Sequence, residues 1–105
     1  MPKIYEYLGI TLFFYSNEHE PIRIHGKYGG RESKAEIHFF AGKVNRVVIK
    51  DRGAGLEFFK RREFEQFVVA HADEIAQKWV DYFVMKKHIT PFVINKRIRN
   101  VSTAH

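Results

Sequence analysis

The 105-residue chain is 45% hydrophobic, with ten Phe, five Tyr and one Trp, a composition that fits one folded domain and excludes a disordered polymer. It contains no cysteine, which removes disulfides, thiolate nucleophiles and cysteine-bound zinc and makes the cytoplasm the expected compartment. The net charge of +6 is uneven, because no acidic residue follows Asp81 whereas Lys86, Lys87, Lys96, Arg97 and Arg99 do, leaving residues 1 to 81 with only +1.

At the N-terminus, IYEYLGITLFFY (residues 4 to 15) is rich in β-branched and aromatic residues. Leu8, Ile10, Leu12 and Phe14 recur at a period of two, which predicts a first strand. Glu6 interrupts the apolar run and no small-residue cleavage site follows, so neither a signal peptide nor a membrane span is expected. Asn17 to Pro21 supplies turn chemistry. From Ile22 to Tyr28 the alternation resumes, with Ile22 and Ile24 on one side and Arg23, His25 and Lys27 on the other. Gly29 and Gly30 permit a tight reversal. A third strand over 33 to 40 then turns Ala35, Ile37 and Phe39 inward and Lys34, Glu36 and His38 outward. After the turn at 41 to 43, VNRVVIK forms a fourth strand, directing Val47 and Ile49 to the core and Arg46 and Lys50 away. DRGAG (51 to 55) reads as a flexible loop.

Beyond Arg61 the period changes. Phe64, Phe67, Val68, His71, Ile75, Trp79 and Phe83 recur at three and four residues, as a helix burying one stripe requires. Two helices are predicted, 61 to 71 and 73 to 86, with Asp73 as N-cap of the second and Glu74 in its first turn. Pro91 marks the end of the helical half, and FVINKRI then forms a short strand or an ordered arm. The predicted fold is α+β: an antiparallel sheet of about four strands with one face covered by two C-terminal helices, in the order four strands then two helices. Residues 1 to 96 form a single domain and 97 to 105 a basic tail.

The segment SNEHEPIRIHGKYGG (16 to 30) concentrates the polar chemistry, and three readings of it compete. In the first it is structural: Asn17 and Pro21 build a connection and the histidines satisfy backbone groups. In the second, Arg23, Lys27, Tyr28, Lys34 and His38 line a binding face where cations meet phosphates and exposed rings stack on bases, with RNA, DNA or an acidic partner protein as ligand. In the third, His19 and His25 act as acid and base on a phosphodiester, aided by Arg23 or Lys27. Two histidines six residues apart on a flat strand lie about 20 Å from each other, a poor zinc signal, so no metal and no cofactor is expected. GRESKAE and RGAG place glycines beside cations, yet neither has phosphate-loop spacing. Trp79 is expected in the core and His71 as a cap.

Asn17, Glu18, His19, Pro21, His25, Tyr28 and Gly29, together with SKAEI and the Trp-containing KWVDYFV (78 to 84), resemble a small bacterial family, domain of unknown function 4160. That family's middle histidine falls at Arg23 here, and guanidinium is neither a metal ligand nor a base at neutral pH. The resemblance implies a context of toxin-antitoxin-like gene pairs, hence a partner protein from a neighbouring gene, and brings no defined activity. The leading expectation is therefore a binding module, with a histidine-dependent hydrolase acting on RNA, or a metal site built from the same histidines, as the alternative.

Overall fold

The computed structural model describes residues 3–15 and 21–98. Five strands come first: β1 (Lys3–Tyr7), β2 (Ile10–Phe13), β3 (Ile22–Tyr28), β4 (Arg31–Phe40) and β5 (Lys43–Arg52). Helices α1 (Phe58–Ala70) and α2 (Ala72–Phe83) follow, and a short β6 (Phe92–Ile94) returns to the sheet. The spatial order is β5-β4-β3-β2-β1-β6, with β6 parallel to β1 and every other pair antiparallel. The α+β class stands as expected, but the described sheet has six strands where about four were predicted.

The extra strands have separate causes. The first predicted strand is a hairpin, because Leu8 and Gly9 both take positive φ (50° and 85°) and reverse the chain between Tyr7 and Ile10. This is the two-residue turn whose twist matches paired strands. A bulge between Lys3 and Tyr5 adds a residue to β1. β6 resolves the FVINKRI choice in favour of a strand, held beside β1 and tied to the hairpin by the Leu8 N–H donating to the Ile94 carbonyl at 3.1 Å. The turn expected at Asn17 lies outside the described residues.

Both helices pack on one face of the sheet. Tyr5 and Tyr7 meet Phe67, and Phe14 meets Phe83. Leu12, Ile24, Ala35, Ile37, Phe64, Val68 and Ile75 complete the core, all at most 1% exposed. Trp79 is buried beside Phe83, as its place in the helical stripe predicted. Gly26 lies opposite Leu12 and beneath α1: a Cβ there would fall 2.6 Å from the Phe64 ring, so its missing side chain lets the helix seat on the sheet. The Tyr5 hydroxyl donates to the Glu74 carboxylate across the layer boundary. Burial, and then that carboxylate, raise the Tyr5 phenol far above its ordinary range.

Helix α1 begins three residues before the predicted start. The α2 cap is His71 and not Asp73, which lies with Glu74 in the first turn, where carboxylates suit the helix dipole. His71 joins the helices as the single residue between them, and its Nδ1 donates to the Phe67 carbonyl at 3.0 Å. After β6, Arg97 pairs with Glu63 at 2.9 Å, and the Ile98 N–H donates to the Tyr7 hydroxyl at 3.0 Å. No described helix is long and apolar enough to cross a membrane.

Candidate functional site

Strand pairing arranges the outer-face side chains of β3, β4 and β5 into rows. Arg23 lies across from Glu36 and Val48, His25 from Lys34 and Lys50, and Lys27 from Glu32 and Arg52, while His38 faces Arg46. Odd positions of β3 therefore project away from the helices, as the sequence alternation predicted. No described element packs on this side of the three strands. Six cations (Arg23, Lys27, Lys34, Arg46, Lys50 and Arg52) share it with two carboxylates, Glu32 and Glu36.

Both carboxylates are committed to partners. Glu36 is 6% exposed and is approached by Arg23 at 3.3 Å and by Lys50 and His38 at 3.4 Å each. Burial alone would raise its pKa, but the hydrogen bonds from Arg23, Lys50 and His38 together outweigh that and hold it below the usual carboxylate range. Glu32 accepts from the Tyr15 hydroxyl at 2.9 Å and lies 3.3 Å from His25 Nδ1 and 3.7 Å from Arg52. Arg52 Nη1 in turn donates to the Tyr15 oxygen at 2.9 Å. Burial and then Glu32 raise the Tyr15 phenol, with Arg52 opposing them.

The expected site residues do not all share one environment. Arg23 is half-buried on Glu36, Lys27 is exposed at the end of β3, and Lys34 sits half-buried in the middle of the face. Among the described residues, Lys27, Lys34 and Arg46 have no ion pair or side-chain hydrogen bond. His38 stays on the outer face beside Glu36. Tyr28, by contrast, projects to the helix side, where Lys60 Nζ stands 4.5 Å from its ring centroid. His25 is on the outer side as expected, but its imidazole is not wet: it is 5% exposed, wedged between Tyr15 (ring centroids 4.3 Å) and Phe13 (5.5 Å). His19 lies outside the described residues. Among the described residues no three His, Asp or Glu side chains converge as a metal site needs.

Sequence reasoning does not join Glu32 and Arg52 to the site. A signal for Glu32 is present: a two-residue turn at Gly29 and Gly30 places Lys27 opposite Glu32 by counting back along both strands. The sequence pattern puts Arg52 in the loop, yet β5 extends to it.

The model of the family described as a domain of unknown function, DUF4160, matches residues 9–80. The chain belongs to this family. The match spans β2 through most of α2, so the charged outer face lies within the DUF4160 domain, and β1 and β6 flank it. No curated protein and no solved structure matches the chain.

Proposed function

We propose that this DUF4160 domain binds nucleic acid, laying the phosphate backbone of an RNA or DNA strand across the outer face of β3, β4 and β5. One observation carries the reading. The face holds six cations against two carboxylates, and those two are occupied by neighbours while Lys27, Lys34 and Arg46 pair with no described acid. Neighbouring strands lie about 4.8 Å apart, so cations on three strands form a two-dimensional array rather than a line. Such an array attracts a polyanion by releasing its counterions, which needs no base-specific contact. Phe40, 75% exposed at the end of β4, offers a ring on which a base can stack.

The test is anisotropy of a labelled single-stranded RNA over a range of salt concentrations. Binding weakens linearly on a log-log scale, by about 0.7 in slope per phosphate contacted. Lys34→Ala and Arg46→Ala each reduce that slope by about 0.7. Arg62→Ala, an equal charge change on the helix layer, leaves it in place. No binding at low salt, or an equal loss from Arg62→Ala, overturns the reading. Cleavage of the probe that disappears in His25→Ala would select histidine-dependent hydrolysis instead. The His25–Glu32 contact favours that alternative and the burial of the imidazole opposes it, since an acid or base has to reach its substrate.

A further inference from the structure

The outer face ends in a cleft. Where the β3–β4 turn meets the loop after β5, an open depression of about 630 Å³ is lined by Tyr15, Lys27, Arg31, Glu32, Arg52 and residues 53–55. A second hollow of about 380 Å³ shares Tyr15, Glu32 and Arg52 and leads back to His25. We propose that this cleft takes the terminal phosphate monoester of a nucleic-acid strand lying on the cationic face, an assignment that rests on the binding function proposed above.

Charge distinguishes the ligand. Among the described residues, Lys27, Arg31 and Arg52 against Glu32 give the lining a formal +2. A phosphodiester carries one negative charge, whereas a monoester carries close to two near neutral pH. An end group therefore matches the cleft better than an internal linkage does.

Geometry supports the same assignment. Two guanidiniums are anchored at the wall: Arg31 Nε donates to the Gly55 carbonyl at 2.7 Å, and Arg52 Nη1 donates to Tyr15 at 2.9 Å and lies 3.7 Å from Glu32. Each keeps further N–H donors in the planar fork that suits phosphate oxygens. The Arg52 side chain is 71% exposed and that of Glu32 only 12%, so an entering anion meets the cation before the carboxylate. Glu32 is also engaged by Tyr15 and His25, which limits its repulsion. Gly30 and Gly53 add no side chain to the space, and a Cβ at either would meet no atom within 4 Å.

Three labelled RNAs of one sequence test the proposal: one with a 5′-phosphate, one with a 3′-phosphate, and one with hydroxyls at both ends. One phosphorylated form is expected to bind about tenfold tighter than the hydroxyl form, reflecting one or two charge-assisted hydrogen bonds, and the preferred end identifies the source of the phosphate. Arg31→Gln, outside the six cations of the face, erases that advantage while the hydroxyl-ended strand keeps its affinity within about threefold, whereas Arg52→Gln erases the advantage and, as a cation of the face, weakens all three strands. Lys27→Gln, at an exposed position without a described partner, reduces the advantage as well and covers the case in which an arginine variant fails to fold. Equal binding of all three strands overturns the terminal-phosphate assignment and leaves the face reading standing. Failure of every strand to bind removes the face reading and the assignment with it.

Discussion

Gly26 shows how one residue serves two faces of a strand. Its neighbours His25 and Lys27 project outward, while its own missing side chain opens the space that the Phe64 ring fills. Phe64 is fully buried, and close-packed interiors leave a ring little room to shift. Gly26→Ala is therefore expected to cost about 1–3 kcal/mol in urea denaturation, as overpacking of a close-packed core does. Phe64→Leu shortens the opposing side chain, so Gly26→Ala should cost measurably less in that background. Strict additivity of the two changes would show that the close approach is not the source of the loss. The sequence identifies Gly26 only as a member of an alternating run. Its role depends on a helix about forty residues further along, which local pattern does not place over any one strand position.

At the scale of the element, the hairpins explain both what was legible and what was hidden. Gly29–Gly30 and Ala41–Gly42 announce their turns by composition, and both pairs take positive φ. Leu8–Gly9 adopts the same kind of turn inside a run of apolar residues, so the run looks like one strand. There the strain of Leu at positive φ is offset by its packing against the core and by the Leu8–Ile94 bond. The bulge at His38–Phe39 is subtler, and the sequence contains it as a contradiction. A two-residue turn at 41 and 42 pairs Phe40 with Lys43, and an unbroken ladder from there would oppose Ala35 to Val48 and Lys34 to Ile49. Alternation puts Ala35 and Ile49 on the same inner face. Only an added residue reconciles turn and pattern, and the observed register, Ala35 with Ile49 and Lys34 with Lys50, contains it. Ala41 has no such compensation, since it is exposed at φ 54°. Ala41→Asn places a residue that tolerates this region and is expected to stabilise the domain by about 0.5–1 kcal/mol. Ala41→Gly should change little, because relief of strain is opposed by added freedom in the unfolded chain. A lower thermal midpoint for Ala41→Asn than for the parent chain would show that the turn strain is not there to relieve.

Over the whole molecule, among the described residues two carboxylates, Glu36 and Asp51, have depressed pKa values and tie different parts of the fold. Glu36 lies within the outer face, bound by Arg23, Lys50 and His38. Asp51 accepts from Ser33 Oγ at 2.7 Å and from Arg61 at 3.0 Å, linking the sheet to α1, and those two bonds lower its pKa. Ser33 also accepts from the Leu56 N–H at 3.0 Å, so the same small network anchors the start of the helical half. Because both groups titrate lower in the folded chain than their ordinary 4.5 and 3.8, the unfolded chain takes up protons first as the pH falls. Their stabilisation is accordingly complete above about pH 4.5 and is lost as the pH drops through the folded-state values. Urea unfolding of the parent chain and of Glu36→Gln should then differ by about 1–3 kcal/mol near neutral pH, the cost of removing an acceptor from charged donors in a mostly buried site. The difference should shrink steadily below about pH 4.5, where the parent carboxylate is being neutralised too. A gap of unchanged size at the acid end would mean that the substituted amide is simply a poorer fit, and that the charge of Glu36 contributes nothing to holding the cationic face in place.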